Sequence, residues 1–374
     1  MDNWKQLSLA RDPFSVMGID WNNVKRVLVV RLRSIGDTVL STPSLIALRR
    51  FLPDATIDIL LEDWVAPVLD GFDAVDRVVI AGTSTGTRIA TMRELRRSGY
   101  DVVFNLHGGT TAAFLTYASG ARHRVGYATY RYSRLHNVRL SASSDFWGRR
   151  KTHSAEQQLA LLGHVGVPVA DKPRSRLCIT PAAASSLSDK LDHLNFDQTR
   201  SYAVIHPLAA FASKQWALEN FAEVIRFLDR RGLRCIVVGS AADQSELNRL
   251  RDLCGGVMIW ATGDINLPET TALLSAAALF VGNDSGIAHM AAAVNTPSVV
   301  IFGSSNRDHW YPWTDSPAEM VFHELPCQPC AGYRCEVFGE PKCILSVHAG
   351  QVEAAIVKVL AAQRKGEHHV PAHV

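Results

Sequence analysis

The chain lacks a long apolar run, a strong net charge and a glycine-rich dinucleotide motif. No apolar stretch approaches the ~18–20 residues of a membrane-spanning helix, and residues 1–20 lack the basic-then-apolar layout of a signal peptide. With 39 Lys+Arg against 36 Asp+Glu, the net charge of +3 does not favour nucleic acid as a partner. Gly36 stands alone after the first strand-like run, which argues against an NAD-binding first domain. We therefore expect a cytoplasmic protein that does not bind nucleic acid.

Strand-like and helix-like segments alternate along almost the whole chain. Its 374 residues favour two domains with substantial cores, and a charged content of 20% beside recurring apolar segments excludes a disordered chain. β-rich runs recur in both halves, among them Val24–Leu32 and Tyr202–His206. This alternation predicts the α/β class, with two doubly wound parallel-sheet domains that leave a cleft at the carboxyl ends of their strands. The predicted division is an N-terminal arm over 1–23, domains over 24–185 and 186–350, and a closing helix with a tail over 351–374.

Asp37 follows the turn Ser34–Gly36 at the carboxyl end of the first predicted strand. A carboxylate at this position faces the predicted cleft and could act as a general base on a hydroxyl. The alternative is a carboxylate at a helix N-terminus that accepts hydrogen bonds from backbone amides. The position alone leaves both interpretations open.

The segment Val281–His289 is the strongest local signal in the sequence. A strand ends, a polar turn follows, and an alanine-rich helix begins. Ser285 and Gly286 are small enough for backbone N–H groups to approach a ligand, and a helix N-terminus favours negative charge. We interpret this segment as a diphosphate site, with a capped turn that binds nothing as the alternative. Asp284 is expected to cap the helix or bond the turn, whereas His289 fits either a structural or a binding role.

Lys214 is a candidate second element of the same anion site. It lies in the loop after Tyr202–His206, beside a predicted helix start. A lone lysine is usually only solvated. On matching strand ends of the same sheet as Ser285 and Gly286, however, it would supply a point charge to a phosphate.

Four of the seven cysteines crowd into one segment, with the spacing Cys327-x2-Cys330-x4-Cys335-x7-Cys343. In a cytosolic protein such a cluster suggests metal binding more than disulfides, and thiolate ligands suit zinc or iron. The spacing matches no standard zinc ribbon, so a reduced cysteine-rich loop held by ordinary packing is the alternative.

Basic residues are concentrated between Arg122 and Lys151, where Asp145 is the one acidic residue. A cluster of this kind can receive an anionic substrate or contact anionic lipid headgroups. The alternative is a solvated basic loop.

The runs Val27–Leu45 and Asn283–Ala293 resemble two motifs of the bacterial ADP-heptose:lipopolysaccharide heptosyltransferases, glycosyltransferase family 9. Arg124–Tyr127 and Lys214–Trp216 fall between these motifs, where such a protein would have them. The resemblance covers roughly residues 24–360. It implies a GT-B fold, in which two Rossmann-like domains face each other across a cleft. It also implies transfer of heptose from ADP-heptose to the inner core of lipopolysaccharide, with inversion at the anomeric carbon.

The same resemblance implies a role for each candidate residue. Asp37 takes the place of the catalytic base, and no cofactor is required for the transfer itself. Cysteine clusters of this kind bind iron in the related autotransporter heptosyltransferases, which makes iron or zinc the expected metal here. The donor-binding positions that match are Lys214, Asp284, Ser285, Gly286 and His289.

The expected acceptor is the lipid A–inner core or a related glycan, and Arg122 and Arg124 are expected to contact its carboxylates and phosphates. A lipid-anchored acceptor implies transient contact with the cytoplasmic face of the inner membrane. Two alternatives stay open: a GT-B transferase that uses another nucleotide sugar, and a non-catalytic nucleotide-sugar-binding protein of the same fold. The presence of both Asp37 and Lys214 weighs against the second, because a binding protein has no use for a base.

Overall fold

The computed structural model describes residues 15–16, 18–257, 259–262, 265–330 and 334–367. Internal contacts divide the chain into two compact units. The first consists of the residues up to Arg33, Ser41–Ala66 and Asp73–Pro173, and the second of Ser34–Leu40, Pro67–Phe72 and the residues from Arg174 onward. This division falls between Pro173 and Arg174, and it assigns the short segment that carries Asp37 to the second unit. The domain limits drawn from the sequence, at 185/186, stay a prediction.

Each unit is built on one parallel sheet. In the first unit, a two-stranded antiparallel ribbon precedes the sheet. The strands are β1 (Ser15–Val16), β2 (Ile19–Asp20), β3 (Arg26–Leu32), β4 (Thr56–Leu61), β5 (Arg77–Ile80), β6 (Val102–Asn105), β7 (His123–Tyr127), β8 (Val138–Leu140), β9 (Tyr202–His206), β10 (Arg234–Gly239), β11 (Ile259–Thr262), β12 (Leu279–Asn283), β13 (Ser298–Phe302) and β14 (Ala318–Phe322).

The helices connect these strands. Local sequence explains where several of them begin: Pro43 stands in the first turn of α2, where its missing N–H costs nothing, and Ser84 and Thr87 form a capping box at the start of α3. The helices are α1 (Ile35–Val39), α2 (Thr42–Phe51), α3 (Thr85–Ser98), α4 (Gly109–Ala118), α5 (Ser143–Trp147), α6 (Ser154–His164), α7 (Pro181–His193), α8 (Leu218–Arg230), α9 (Gln244–Cys254), α10 (Leu267–Ser275), α11 (Gly286–Ala293), α12 (Arg307–Trp310), α13 (Lys342–Leu345) and α14 (Ala349–Glu367).

The two sheets share one strand order. The order is β5-β4-β3-β6-β7-β8 in the first unit and β11-β10-β9-β12-β13-β14 in the second, and neighbouring strands are parallel. Counted within each sheet, both follow the order 3-2-1-4-5-6, which reverses direction between the first and fourth strands. Open sheets of this type bind ligands at the carboxyl ends of the strands that flank this switch point. The expected α/β class with doubly wound parallel sheets is confirmed.

The core of each unit is the apolar surface between sheet and helices. In the second unit, α8 contributes Phe221, Ile225 and Leu228 from one face, and α14 contributes Val352 and Ile356. These residues are spaced at three or four positions, as an amphipathic helix against a sheet requires. No helix among the described residues is long and apolar enough to cross a membrane.

Candidate active site

The switch point of the second sheet lies between β9 and β12, and it gathers most of the predicted donor-binding residues. Asn283, the last residue of β12, is fully buried. Its side-chain amide donates to the carbonyl of Pro207 (2.8 Å) and accepts from the backbone N–H of Trp216 (3.2 Å). The loop after β9, which carries Lys214, is therefore held to the end of β12 by one asparagine.

Asp284 and Lys214 form a closely bonded pair at this point. The Lys214 Nζ lies 2.8 Å from Asp284 Oδ2, and the hydroxyl of Ser305 donates to the same oxygen at 2.5 Å. Asp284 is 4% exposed, so the ion pair is shielded on the carboxylate side. Asp284 Oδ2 therefore already accepts two hydrogen bonds. The ion pair also fixes the direction of the Lys214 ammonium. Both partners belong to other loops, the one after β9 and the one after β13, rather than to the turn of Asp284 itself or to α11.

Ser285 contacts a histidine instead of capping its own helix. It stands at the N-cap of α11 without a side-chain hydrogen bond to the helix, and its Oγ lies 3.2 Å from Nδ1 of His206, the last residue of β9. Burial lowers the pKa of His206 to about 4, against a weaker opposing effect of Asp243. The imidazole is therefore neutral at pH 7, and the first backbone amides of α11 do not receive a cap from Ser285.

Two glycines bring the Asp37 segment against this helix. A Cβ on Gly286 would stand 2.7 Å from Cβ of Ile35 and 3.1 Å from the backbone N of Gly36. A Cβ on Gly36 would stand 2.7 Å from the imidazole Cδ2 of His289. Contacts that close cannot be made by residues with side chains, so α1 and α11 approach each other because both positions are glycine. Within the second unit, the predicted base and the predicted diphosphate motif are therefore neighbours.

Asp37 itself is the third residue of α1. Its Oδ2 accepts from the hydroxyl of Ser34 at 3.1 Å and lies 3.5 Å from the backbone N of Ser34, which completes a capping box. The capping interpretation from the sequence thus describes its local bonds. These bonds hold the carboxylate in one direction, which is also what a base requires, so the two interpretations are compatible.

His289 is buried one turn into α11. Burial lowers its pKa, the charges of Asp284 and Asp37 oppose that shift, and Lys214 and His309 reinforce it. Its Nδ1 is buried and has no hydrogen-bond partner among the described residues. A buried polar atom is seldom left unpaired, and this one lies at the start of α11.

The four clustered cysteines line one small cavity of about 10 Å³, together with Ser213 and Ser304, among others. That is room for about one water-sized atom. Burial raises the pKa of Cys343, and the neighbouring thiols of Cys330, Cys327 and Cys335 raise it further. In the described residues, however, no three histidine, cysteine or acidic side chains are arranged as a formed metal site.

The cysteine segment is bonded to the loops of the predicted donor site. The backbone N–H of Cys330 donates to the carbonyl of Ser304 (2.9 Å), and the Gln328 amide donates to the carbonyl of Gly303 (2.6 Å). Ser304 in turn donates its hydroxyl to that of Ser213, at 3.1 Å. Because Ser304 precedes Ser305 and Ser213 precedes Lys214, the segment supports the two loops that meet at Asp284.

Arg122 and Arg124 lie in the first unit, where the basic stretch proves to contain β7 and β8. The Arg124 guanidinium donates to the carbonyls of Ala121 (2.6 Å) and Leu135 (2.9 Å) and stacks over the ring of Tyr117. Through these bonds, the Arg124 side chain joins β7 to the loop before β8. Arg122 is exposed. Their predicted contact with an acceptor stays a prediction.

Sequence reasoning missed Ser305 and His206 as parts of the site. His206 ends a predicted strand at the carboxyl edge, so strand-end position could have identified it. Ser305 belongs to the loop after β13, and only the fold brings its hydroxyl to Asp284.

Two doubly wound units, the second with a lysine and an uncapped helix start at its switch point, have the fold of the GT-B glycosyltransferases. The chain matches the family model of glycosyltransferase family 9 (heptosyltransferase) over residues 88–339, and it belongs to this family.

The chain is similar over most of its length to several heptosyltransferases and to a related glycosyltransferase. Lipopolysaccharide heptosyltransferase 3 of Escherichia coli is 29% identical over 357 residues, which covers 90% of this chain and 99% of the relative. The solved structure of E. coli ADP-heptose lps heptosyltransferase II has a TM-score of 0.74 at 22% identity, covering 91% of this chain and 99% of that one. The iron-containing dodecameric glycosyltransferase TibC of enterotoxigenic E. coli has a TM-score of 0.56 at 16% identity, with 91% and 80% coverage.

Proposed function

We propose that this enzyme transfers heptose from ADP-heptose to an inner-core lipopolysaccharide or related glycan acceptor, with inversion at the anomeric carbon. The observation that carries the proposal is the glycine-to-glycine contact of α1 and α11, which brings Asp37 beside the Asp284–His289 segment. The heptosyltransferase relatives support the choice of donor and acceptor.

The donor diphosphate binds at the switch point of the second sheet. Lys214 supplies a positive charge, and Ser285 and Gly286 present the backbone amides at the start of α11. Asp284 does not touch the phosphates, because its oxygens orient Lys214 and accept from Ser305. The Nδ1 of His289 is a further buried group that the donor can satisfy.

The transfer itself needs one base and one stabilised leaving group. The acceptor hydroxyl oxygen attacks the anomeric carbon of the heptose and gives its proton to the carboxylate of Asp37. The bond from that carbon to the diphosphate breaks on the opposite face, and the electron pair leaves with ADP. Lys214 and the α11 amides stabilise the charge that develops on the diphosphate, so the step requires no divalent metal.

The cysteine cluster has a structural role in this proposal. Cys327, Cys330, Cys335 and Cys343 are thiols of the kind that bind iron or zinc, and they line one small cavity, although in the described residues they are not arranged as a metal site. A metal there would fix the segment that supports Ser304 and Ser213. The iron in TibC, to which this chain is similar in fold, supports iron as one candidate. Elemental analysis of purified protein tests this: sub-stoichiometric iron and zinc would contradict it.

Binding of ADP-heptose, compared with UDP- and GDP-sugars and other ADP-sugars, is the first test. Calorimetry on the purified protein should give selective binding of ADP-heptose. Selective binding of another nucleotide sugar would keep the Asp37 mechanism and replace the donor. A protein that binds ADP-heptose and transfers nothing to any core acceptor would instead be a nucleotide-sugar-binding protein.

The acceptor side of the proposal includes Arg122 and Arg124 and a transient approach to the inner membrane. Reversing the charge of Arg122 should raise the acceptor KM and leave the donor KM unchanged. An unchanged acceptor KM would remove the basic stretch from the acceptor site.

A further inference from the structure

A second cavity lies at the switch point of the first sheet. It has a volume of about 160 Å³, and its walls come from the carboxyl ends of β3, β4 and β6 and from the first turns of α3 and α4. Since about 10–15 Å³ suffices for one water, a carboxylate or phosphate group with part of its sugar fits inside. The lining residues are Leu32, Arg33, Glu62, Arg88, His107, Gly109, Thr110 and Thr111.

The backbone just before Arg33 has an unusual conformation, and Arg33 lines the cavity. Leu32 has a positive φ of 59°, which a side chain-bearing residue rarely adopts, and the β3–β4 register shifts between Val30 and Leu32. As a result, the neighbouring arginines separate. Arg31 is buried and donates to the carbonyl of Leu106, whereas Arg33 lines the cavity with its side chain 61% exposed.

A buried asparagine fixes the opposite wall. Asn105, the last residue of β6, accepts from the backbone N–H groups of His107 (3.1 Å) and Gly108 (2.9 Å). Its amide also bonds the buried ring of His136 at 3.0 Å. This network sets the turn that carries His107 and the start of α4, so one wall of the cavity is rigid.

The charges on the cavity are mainly positive. Glu62 is the one carboxylate in its lining; it lies 3.8 Å from Arg33 and accepts from the indole N–H of Trp64 at 2.9 Å. Among the described residues, Arg88 forms no ion pair. Because Glu62 lies closest to Arg33, the charge of Arg88 stays uncompensated within the cavity lining. Arg88 is exposed and stands in the first turn of α3.

We propose that this cavity is an anion-binding subsite, in which Arg88 and Arg33 bind a carboxylate or phosphate of the acceptor glycan. The inference rests on the proposed function and deepens it, because it names the acceptor group and the residues that recognise it. The subsite stands at the switch point of the first sheet, as the donor site does in the second. Arginine is the side chain best suited to both anions, since its planar fork binds two oxygens at once.

The test compares Arg88→Gln and Arg33→Gln with Arg93→Gln in the full-length protein. Arg93 lies on the same helix as Arg88, is exposed and does not line the cavity, so its substitution removes the same charge elsewhere. The probe is the core oligosaccharide released from lipopolysaccharide by deacylation, measured by calorimetry and as the acceptor KM. We expect Arg88→Gln to weaken binding about tenfold, Arg33→Gln less, and Arg93→Gln not at all, while the KM for ADP-heptose is unchanged.

Two chemical forms of the probe identify the anion. A phosphatase-treated oligosaccharide lacks phosphates, and a carboxyl-reduced one lacks carboxylates. The treatment that abolishes the difference between wild type and Arg88→Gln names the bound group. Equal binding by wild type and Arg88→Gln, an equal loss in Arg93→Gln, or no binding by the wild type would overturn the subsite. Failure of the proposed function gives a different result: ADP-heptose neither binds nor reacts, while the oligosaccharide still binds through Arg88.

Discussion

The two switch points have the same strand order and very different side-chain chemistry. In the second sheet the polar groups are already bonded to one another: Lys214 to Asp284, Ser305 to Asp284, and Ser285 to His206. In the first sheet the arginines at the cavity are exposed, and Arg33 reaches its nearest carboxylate only at 3.8 Å. The polar groups at the second switch point are fixed by bonds to one another, whereas the arginines at the first are less constrained.

This difference fits the two substrates of a glycosyltransferase. A diphosphate is a small group of constant shape that gains charge in the transition state, and preorganised donors stabilise it without the cost of reorganisation. A glycan acceptor is larger and varied, and long exposed side chains can adjust to it at an entropic cost of about 0.5–1.5 kcal/mol each. If the second switch point is preorganised for the donor, substitutions there should lower activity or donor affinity more than substitutions at matched positions elsewhere in the same unit.

Replacing the proposed base, Asp37, should have the largest effect. Asp37→Asn keeps the size and much of the capping ability of the side chain but cannot accept the proton. We expect kcat to fall by about 10²–10⁴ while ADP-heptose binding is retained. The measurement is steady-state transfer together with donor calorimetry. Full activity in Asp37→Asn would remove it as the base.

Removing the charge of Lys214 should have the next largest effect. Lys214→Gln keeps a hydrogen bond to Asp284 and loses the charge, so the affinity for ADP-heptose should fall about 10–100-fold, since charge-assisted bonds to a phosphate are lost. Calorimetry measures the effect.

A matched pair controls for the loss of a lysine beside a buried carboxylate. Lys190 lies 2.8 Å from Glu269, as Lys214 does from Asp284, and both carboxylates are buried. Lys190→Gln should therefore cost similar stability and leave donor affinity unchanged. Equal donor affinity in the two variants would contradict the assignment of Lys214.

Strand-end position explains which parts of this picture could be predicted from the sequence. Asp37 and Asp284 both follow strand-like runs, so their place at carboxyl edges could be predicted, and the small residues Ser285 and Gly286 indicated the approach of a ligand. The contact of α1 with α11 through Gly36 and Gly286 could not be predicted, because it depends on the fold. Ser305 was not readable, because its role depends on β13 lying beside β12. Arg124 shows a second limit: its charge predicts contact with an acceptor, and only the fold shows that its guanidinium also donates to backbone carbonyls of its own unit. The two short strands β7 and β8 were also missed, because basic residues interrupt their apolar pattern.

The glycine contact offers a smaller, structural test of the second switch point. Gly286→Ala places a methyl group 2.7 Å from Ile35, where something must shift, and overpacking of this kind costs about 1–3 kcal/mol. Gly350→Ala is the control, because its methyl group has nothing within 4 Å and it stands in α14 of the same unit. We expect denaturant unfolding to show destabilisation, and calorimetry to show weaker ADP-heptose binding, only in Gly286→Ala. Equal stability in both variants would mean that α1 and α11 are not held together by this contact.

The burial of His206 should make the folding stability depend on pH. Its pKa is about 4 in the folded protein, lowered from 6.5 by burial, so between these values the unfolded chain binds a proton that the native His206 does not. Folding stability should therefore fall as the pH drops from about 6.5 to 4, with a slope that includes up to one proton from this residue. His206→Gln keeps a polar partner for Ser285 and removes the titration, so its stability should depend less steeply on pH in this window. His348→Gln, at an exposed position, should leave the slope unchanged. Urea unfolding at pH 4.5, 5.5 and 7 measures the stability of all three proteins. Identical slopes for wild type and His206→Gln would contradict the prediction. They would mean that His206 takes up its proton in the native state, so that the site contains a charged imidazole.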